Sequence, residues 1–309
     1  MENDNARRKT EKQLKKMERE IREIYKKAAI EITKEWNEYM SSAAKEIEDL
    51  QNEYEKAKAS GDKDVTRRYG IKLSKAKRKV TLQDERYKAM IKEVTRQLAN
   101  INRTATAYIN GEVPNIYALN YNEISTEAFN LGIDFSVVDA HTVKRLIADG
   151  EIKMPQKKID IPKDIHWNTK QMNSAVLQGI LQGESIPKIA NRIYHIVGNN
   201  ETSAIRNART MVTSAECHGR LDSYHDLADR GVVQKKVWIA TPDDRTRKSH
   251  LDLDGEEQDI DDEFSNGCMF PGDGNGPAEE VWNCRCSIRT HIIGFRREDG
   301  SISKINYRR

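Results

Sequence analysis

Residues 236–294 read KVWIATPDDRTRKSHLDLDGEEQDIDDEFSNGCMFPGDGNGPAEEVWNCRCSIRTHIIG, and this stretch decides how the last third of the chain folds. Its middle runs for about forty residues with little helical or strand periodicity. Val237, Trp238 and Ile239 stand before it and Ile288, Ile292 and Ile293 after it, so the flanks predict two β-strands, near 233–241 and 285–293, that pair with each other. A structureless loop of that length inside a compact domain needs an anchor of its own. His250, Cys268, Cys284 and Cys286 are the candidates for it.

Four pieces follow in order along the stretch: Asp243-Asp244-Arg245-Thr246-Arg247, then His250, then Asp254-Gly255, then Asn283-Cys284-Arg285-Cys286. As a pattern this is D-x-R-T-R-x-x-H, D-G and N-C-R-C, joined by a loop of variable length. It resembles the phage head-morphogenesis (Mu F-like) minor head protein family. The motif covers about a fifth of the chain, and the helical segment before it agrees in character. The resemblance implies a minor structural protein of a tailed-phage head, acting inside the procapsid near the portal in head assembly, genome packaging or DNA ejection. Its implied partners are the portal and capsid or scaffold proteins, and its implied location is the virion interior, with the host cytoplasm during assembly. The motif is followed only by the short basic run 296–309, so no appended toxin or enzyme domain is expected.

Two chemistries suit the anchor. Cys284 and Cys286 in a C-x-C turn, with His250 and Cys268 as the obvious fourth donor, could supply the N/S set that a structural zinc prefers. Asp244 or Asp254 could replace Cys268, and packed thiols or a disulfide within the set stay open beside the metal. The residues Arg245, Thr246 and Arg247 have a simpler role, because guanidiniums among carboxylates form bidentate pairs that fix irregular backbone. Asp252, Asp254 and Gly255 imitate part of a calcium loop, but His250 and Asp261 occupy the positions where that loop wants Asp and a bidentate Glu. A metal-dependent nuclease or a cysteine peptidase using the His250/Cys284 region is the enzymatic alternative to a structural role.

Composition points outward from this domain to extended helices. Of 309 residues 37% are hydrophobic and 33% charged, which is poor in apolar residues for one compact globule. No apolar stretch approaches the ~20 residues that span a bilayer, so neither secretion nor membrane insertion is expected. Charge is divided along the chain: residues 65–105 hold 12 Lys/Arg against 3 Asp/Glu, and residues 243–280 hold 3 against 13. Arg67, Arg68, Lys72, Lys75, Lys77, Arg78 and Lys79 form a basic cluster suited to non-specific contact with double-stranded DNA.

The expected fold class is mainly α, with a long N-terminal antiparallel helical hairpin, a helical middle region and a small α+β C-terminal motif domain. Apolar residues recur at alternating spacings of three and four from Leu14 to Ala57, and again from Val65 to Ile101, on either side of Ser60-Gly61-Asp62. A helix over the first series would reach about 75 Å at ~1.5 Å per residue. The expected divisions are the hairpin over 1–110, a connector with short helices over 111–165, helices over 166–231, the motif domain over 232–295 and the basic tail. Within the helical region the punctuation predicts separate helices over Asn168–Gln182, Ser185–Val197 and Glu201–Arg230.

Overall fold

The computed structural model describes residues 4–78, 85–155, 160–182 and 184–304. Helix α1 (Asp4–Ala59) is one unbroken element whose apolar seam is buried at Met17, Ile21, Tyr25, Ala28, Ile32, Trp36 and Met40. It ends where Gly61 takes a left-handed φ of 75°. Asp62 then accepts from the backbone N–H groups of Asp64 and Val65, both at 3.0 Å, and so caps α2 (Lys63–Arg78).

Residues 79–84 of the expected second arm lie outside the described residues; α3 (Glu85–Tyr121) follows them, and its pairing with α1 is antiparallel. Glu46 meets Arg86 at 3.5 Å, Glu35 accepts from Gln97 at 3.1 Å and Tyr25 donates to Asn102 at 2.6 Å. The mainly α class and the hairpin are therefore as the spacing predicts. Its second arm is longer than expected, because α3 runs through Gly111 and Pro114, where the sequence suggests a connector. A proline inside a helix costs about 3 kcal/mol, but Ile109, Val113, Ile116 and Tyr117 continue the buried face across it and offset that cost.

The connector holds α4 (Ser125–Asn130) and α5 (Ala140–Asp149), the latter capped by Asp139, which accepts from Thr142 N at 2.7 Å. Helix α6 (Ile161–Leu181) starts seven residues before the predicted Asn168. Pro162 fits its first turn, where no N–H is needed, and Asp160 accepts from Lys163 N at 3.1 Å. Helix α7 (Ile186–Asp229) is continuous where two helices were expected. Gly198 does not break it: the buried Asn200 donates to Ile196 O at 2.9 Å and to Asn168 Oδ1 at 3.0 Å, and Asn102 donates to Asn200 Oδ1 at 2.8 Å. Helix propensity is a weak preference that such tertiary bonds override.

The chain assembles two compact units from interleaved segments, 1–20 with 106–158 and 204–309, and 21–105 with 159–203. In the first, the expected strands are present as β1 (Val232–Ile239) and β3 (Ser287–Arg296), antiparallel and in register at Trp238↔Ile288, with an irregularity between Val233 and Gln234. Two three-residue strands not foreseen in the sequence, β2 (Glu257–Asp259) and β4 (Ile302–Lys304), extend the sheet to the order β2-β1-β3-β4. β4 lies inside the expected basic tail. The C-terminal half of α7 buries Met211, Cys217, Leu221, Tyr224 and Leu227, and the last four join Val232, Trp238, Ile288 and Ile292 of the sheet in one core. Among the described residues no helix is long and apolar enough to cross a membrane.

Candidate functional site: a thiol and imidazole cluster beneath a tied loop

The motif residues hold the two ends of the long loop together. Asp243 takes a bidentate pair from Arg285 at 2.5 and 2.6 Å, and also accepts from Arg245 N at 3.0 Å and Thr246 Oγ1 at 3.2 Å. Thr246 Oγ1 lies 2.6 Å from Thr241 O and Thr241 Oγ1 donates to Arg285 O at 2.6 Å, so the strand exit and the C-x-C turn are fastened crosswise. Arg247 donates to the carbonyl of Trp282. Asp254 accepts from Ala240 N at 2.9 Å, while Gly255, at a φ of 82°, donates to Trp238 O at 2.9 Å. Only a residue free of Cβ adopts that conformation without strain. Asn283 is the one described non-glycine residue with a positive φ, 61°, and Asn tolerates it better than most. Asp244 is exposed.

The bidentate guanidinium of Arg285 is the main reason that the Asp243 carboxyl sits well below the usual carboxylate range. A carboxyl depressed in the folded state contributes stability that is full above its unfolded value and lost as pH falls through the folded one. Acid loosening of the 241–286 loop should therefore begin below about pH 4. Asp243→Asn should flatten that pH dependence, as read by amide hydrogen exchange at 255–257; an unchanged profile would show that the pair does not hold the loop.

Inside the tied loop, α8 (Lys248–Asp252) turns His250 toward the cysteines. Its Nδ1 lies 3.5 Å from Cys284 Sγ and 3.4 Å from Cys286 Sγ, and the three residues are 1–2% exposed. On the other side of the ring, Nε2 lies 2.7 Å from Glu280 Oε2, near enough for an ion pair but not aligned as a hydrogen bond. Glu280, on α9 (Ala278–Val281), is itself steadied by Ser249 Oγ at 3.2 Å and Asn266 Nδ2 at 3.4 Å. Two threonines of α7 fix the turn from below: Thr210 accepts from Asn283 N at 2.8 Å and Thr213 donates to Cys284 O at 2.7 Å. The hydrogen bond from Cys284, helped by His250, brings Cys286 down to about 5, whereas Cys284, bonded to Cys286 and buried, is raised well above a thiol's ordinary value.

Cys268 does not join them, which corrects the expected four-residue set; the cluster comprises His250, Cys284 and Cys286. The loop does turn at Gly267, with a φ of 76°, but that turn packs the Cys268 sulfur against Gly276, where an added Cβ would meet it at 2.5 Å. Burial pushes the Cys268 thiol up to about 12. Glu280, Thr210 and Thr213 were not foreseen, because one of two adjacent carboxylates on a four-residue helix and two threonines on a core helix carry no spacing signal. Nor was Lys236, wholly buried in β1, whose Nζ donates to Ile260 O at 3.1 Å and Met269 O at 2.9 Å and holds the loop over the sheet. Burial lowers its pKa to about 8.

The sequence from 170 to 289 matches the family model of Phage Mu protein F like protein, which takes in the cluster, the tied loop and the helices that support them. This segment is similar to the Mu F-like family. Across 194 residues, 58% of the chain, it is 29% identical to the minor head protein GP7 of Bacillus phage SPP1, of which the match covers 60%. It is 32% identical over 42% of the chain to the NAD(+)--arginine ADP-ribosyltransferase EFV of Enterococcus faecalis, and 31% identical over 43% of the chain to the uncharacterized protein YqbB of Bacillus subtilis. Those matches cover 27% and 46% of the two proteins, so the chain spans less than two thirds of each of these relatives. No solved structure matches the chain.

Of the basic cluster, Arg67, Arg68, Lys72 and Lys75 are exposed, and Arg68, Lys72 and Lys75 share one face of α2 at i, i+4 and i+7. Lys72 Nζ lies 5.3 Å from the centre of the Tyr69 ring. The side chains of Lys77 and Arg78, and residue Lys79, lie outside the described residues.

Proposed function

We propose that the chain is a minor structural protein of a tailed-phage head, that it acts near the portal in head assembly, genome packaging or DNA ejection, and that its Mu F-like segment is a protein-docking module. The observation that carries the reading is the bond pattern of the motif. Asp243, Thr246, Arg247, Asp254 and Arg285 each bond to the loop backbone or to one another. A motif whose polar atoms are used to build a rigid, acidic loop suits recognition of a partner protein rather than turnover of a substrate. Similarity to a minor head protein over more than half the chain supports the same assignment. The partners are then the portal and capsid or scaffold proteins, and the place is the head interior. Gradient-purified procapsids of the encoding phage test this: the protein should sediment with portal, and its absence from both procapsids and mature heads would overturn the reading.

Contact with double-stranded DNA is the second part of the proposal, and the exposed basic face of α2 supports it. Exchanging Arg67, Arg68, Lys72 and Lys75 for Glu should weaken duplex binding and flatten its salt dependence, because each phosphate contact releases counterions at a slope of about 0.9 per contact. The Glu variant should bind at least tenfold more weakly at low salt; equal binding by the two proteins would remove DNA from the proposal. The Enterococcus relative brings a rival, ADP-ribosyl transfer. Cys284 with His250 and Glu280 also has the order of a nucleophile, base and orienting carboxylate, but Cys284 and Cys286 are each only 2% exposed and a nucleophile must reach its substrate. Incubation with NAD+ and arginine, and with DNA or peptides with and without chelator, separates these enzymatic readings from the structural one.

A further inference from the structure

We propose that His250 Nδ1, Cys284 Sγ and Cys286 Sγ bind one zinc ion, with Glu280 orienting the imidazole from its Nε2 side and the fourth coordination position left to an exogenous ligand such as water. The geometry argues for this first. The three donor atoms lie within 4.8 Å of one another. A tetrahedral zinc with Zn–S of ~2.3 Å and Zn–N of ~2.0 to 2.1 Å has an S···N edge of about 3.5 Å. The two observed Nδ1···Sγ separations are 3.5 and 3.4 Å. A disulfide between the cysteines would leave the same buried ring nitrogen facing two sulfurs with no function for it.

Polarity and support agree with the distances. The nitrogen turned to the sulfurs is Nδ1, and the far nitrogen lies 2.7 Å from a carboxylate, on the side from which metal-bound histidines are commonly oriented. The turn is fixed partly from outside the cluster and partly by its own backbone. Thr213 holds the Cys284 carbonyl, Thr241 the Arg285 carbonyl, and Cys286 N donates to Cys284 Sγ at 3.5 Å. Two sulfurs and one imidazole are soft to borderline donors, which select zinc over magnesium or calcium. A loop rich in carboxylates would attract a hard cation elsewhere, but none of those carboxylates joins this cluster. Binding would also stabilise a loop whose regular structure is limited to α8, β2 and α9, because metal affinity in such a site is folding free energy.

The full chain purified without chelator should carry close to one zinc, and the stripped protein should take up one equivalent of Co(II). The cobalt form should show intense visible bands of tetrahedral thiolate coordination, bleached by one equivalent of zinc. Cys284→Ser and Cys286→Ser should each lose the sulfur charge-transfer bands. Because those variants can misfold, two further ones keep the test decisive. Cys268→Ser should bind as the unmodified chain does. Glu280→Gln should keep the stoichiometry and bind about 10- to 100-fold more weakly. A folded stripped protein with no cobalt spectrum, or a Cys268→Ser variant that loses it, would overturn the site; undiminished affinity in Glu280→Gln would remove the orienting role. None of these outcomes depends on the role in the head.

Discussion

Trp238→Ala should be among the most destabilising single changes in the motif region, costing about 3–5 kcal/mol as for other fully buried large aromatics. The indole is 0% exposed and meets two rings edge-on, His250 at 5.4 Å and Phe264 at 5.1 Å between centres. Its backbone leaves little room for collapse around a cavity: Trp238 N donates to Glu256 O and its carbonyl accepts from Gly255, both at 2.9 Å, while its neighbour across the sheet is Ile288. Among the described residues the indole N–H has no acceptor. Trp238→Phe removes that buried donor together with some volume, so its loss should be well under that of the alanine variant. Hydrogen exchange in β1 and β3 is the suitable measurement, because a chain of two units need not unfold in a single transition. An alanine variant that loses less than about 1 kcal/mol would mean the core repacks around the gap, against the cavity costs found in rigid sites.

The elements that sequence reading found are those with a sustained period, and those it missed are held by contacts distant in sequence. Alternation of three and four from Leu14 to Ala57 marks α1 because a long seam repeats one physical demand many times. Val237-Trp238-Ile239 and Ile288 marked the central strands for the same reason. β2 and β4 are three residues each, too short to show a period, and exist because β1 and β3 offer free edges. Gln234 and Lys236 lie between Val232 and Trp238 among the buried positions of β1, and neither reads as core: Gln234 donates to Tyr224 O at 2.6 Å and Lys236 to two loop carbonyls. At the cluster, the C-x-C turn and His250 were legible as a donor set. Cys268 reads as a donor because its thiol is visible in the sequence, whereas its packing against Gly276 is not.

Two glycines of the same helix should respond to alanine with opposite signs, and the second gives the other large effect. At Gly198 of α7 an added Cβ meets nothing within 4 Å. Gly198→Ala should therefore stabilise the helix by about 0.5–1 kcal/mol, the ordinary propensity difference. At Gly219 the same atom would lie 2.6 Å from Tyr117 O and 3.2 Å from Tyr121 N. Both are backbone atoms of α3, so no side-chain rotation relieves the clash and the two helices must separate. The contacts that surround the crossing would be strained together: Tyr117 OH donates to Asp222, and the buried Arg220 reaches Asn120 Oδ1 at 3.2 Å, Ser287 Oγ at 3.2 Å and Ile288 O at 2.9 Å. Arg220 links α3, α7 and β3, and moving it costs bonds in all three. Overpacking of this kind costs about 1–3 kcal/mol and more when the obstacle is backbone, so Gly219→Ala should fall at or above the top of that range. Denaturant unfolding of the two variants beside the parent, with exchange protection in β3 as the local readout, decides it. A neutral Gly219→Ala would mean that the helices do not cross as closely as 2.6 Å implies.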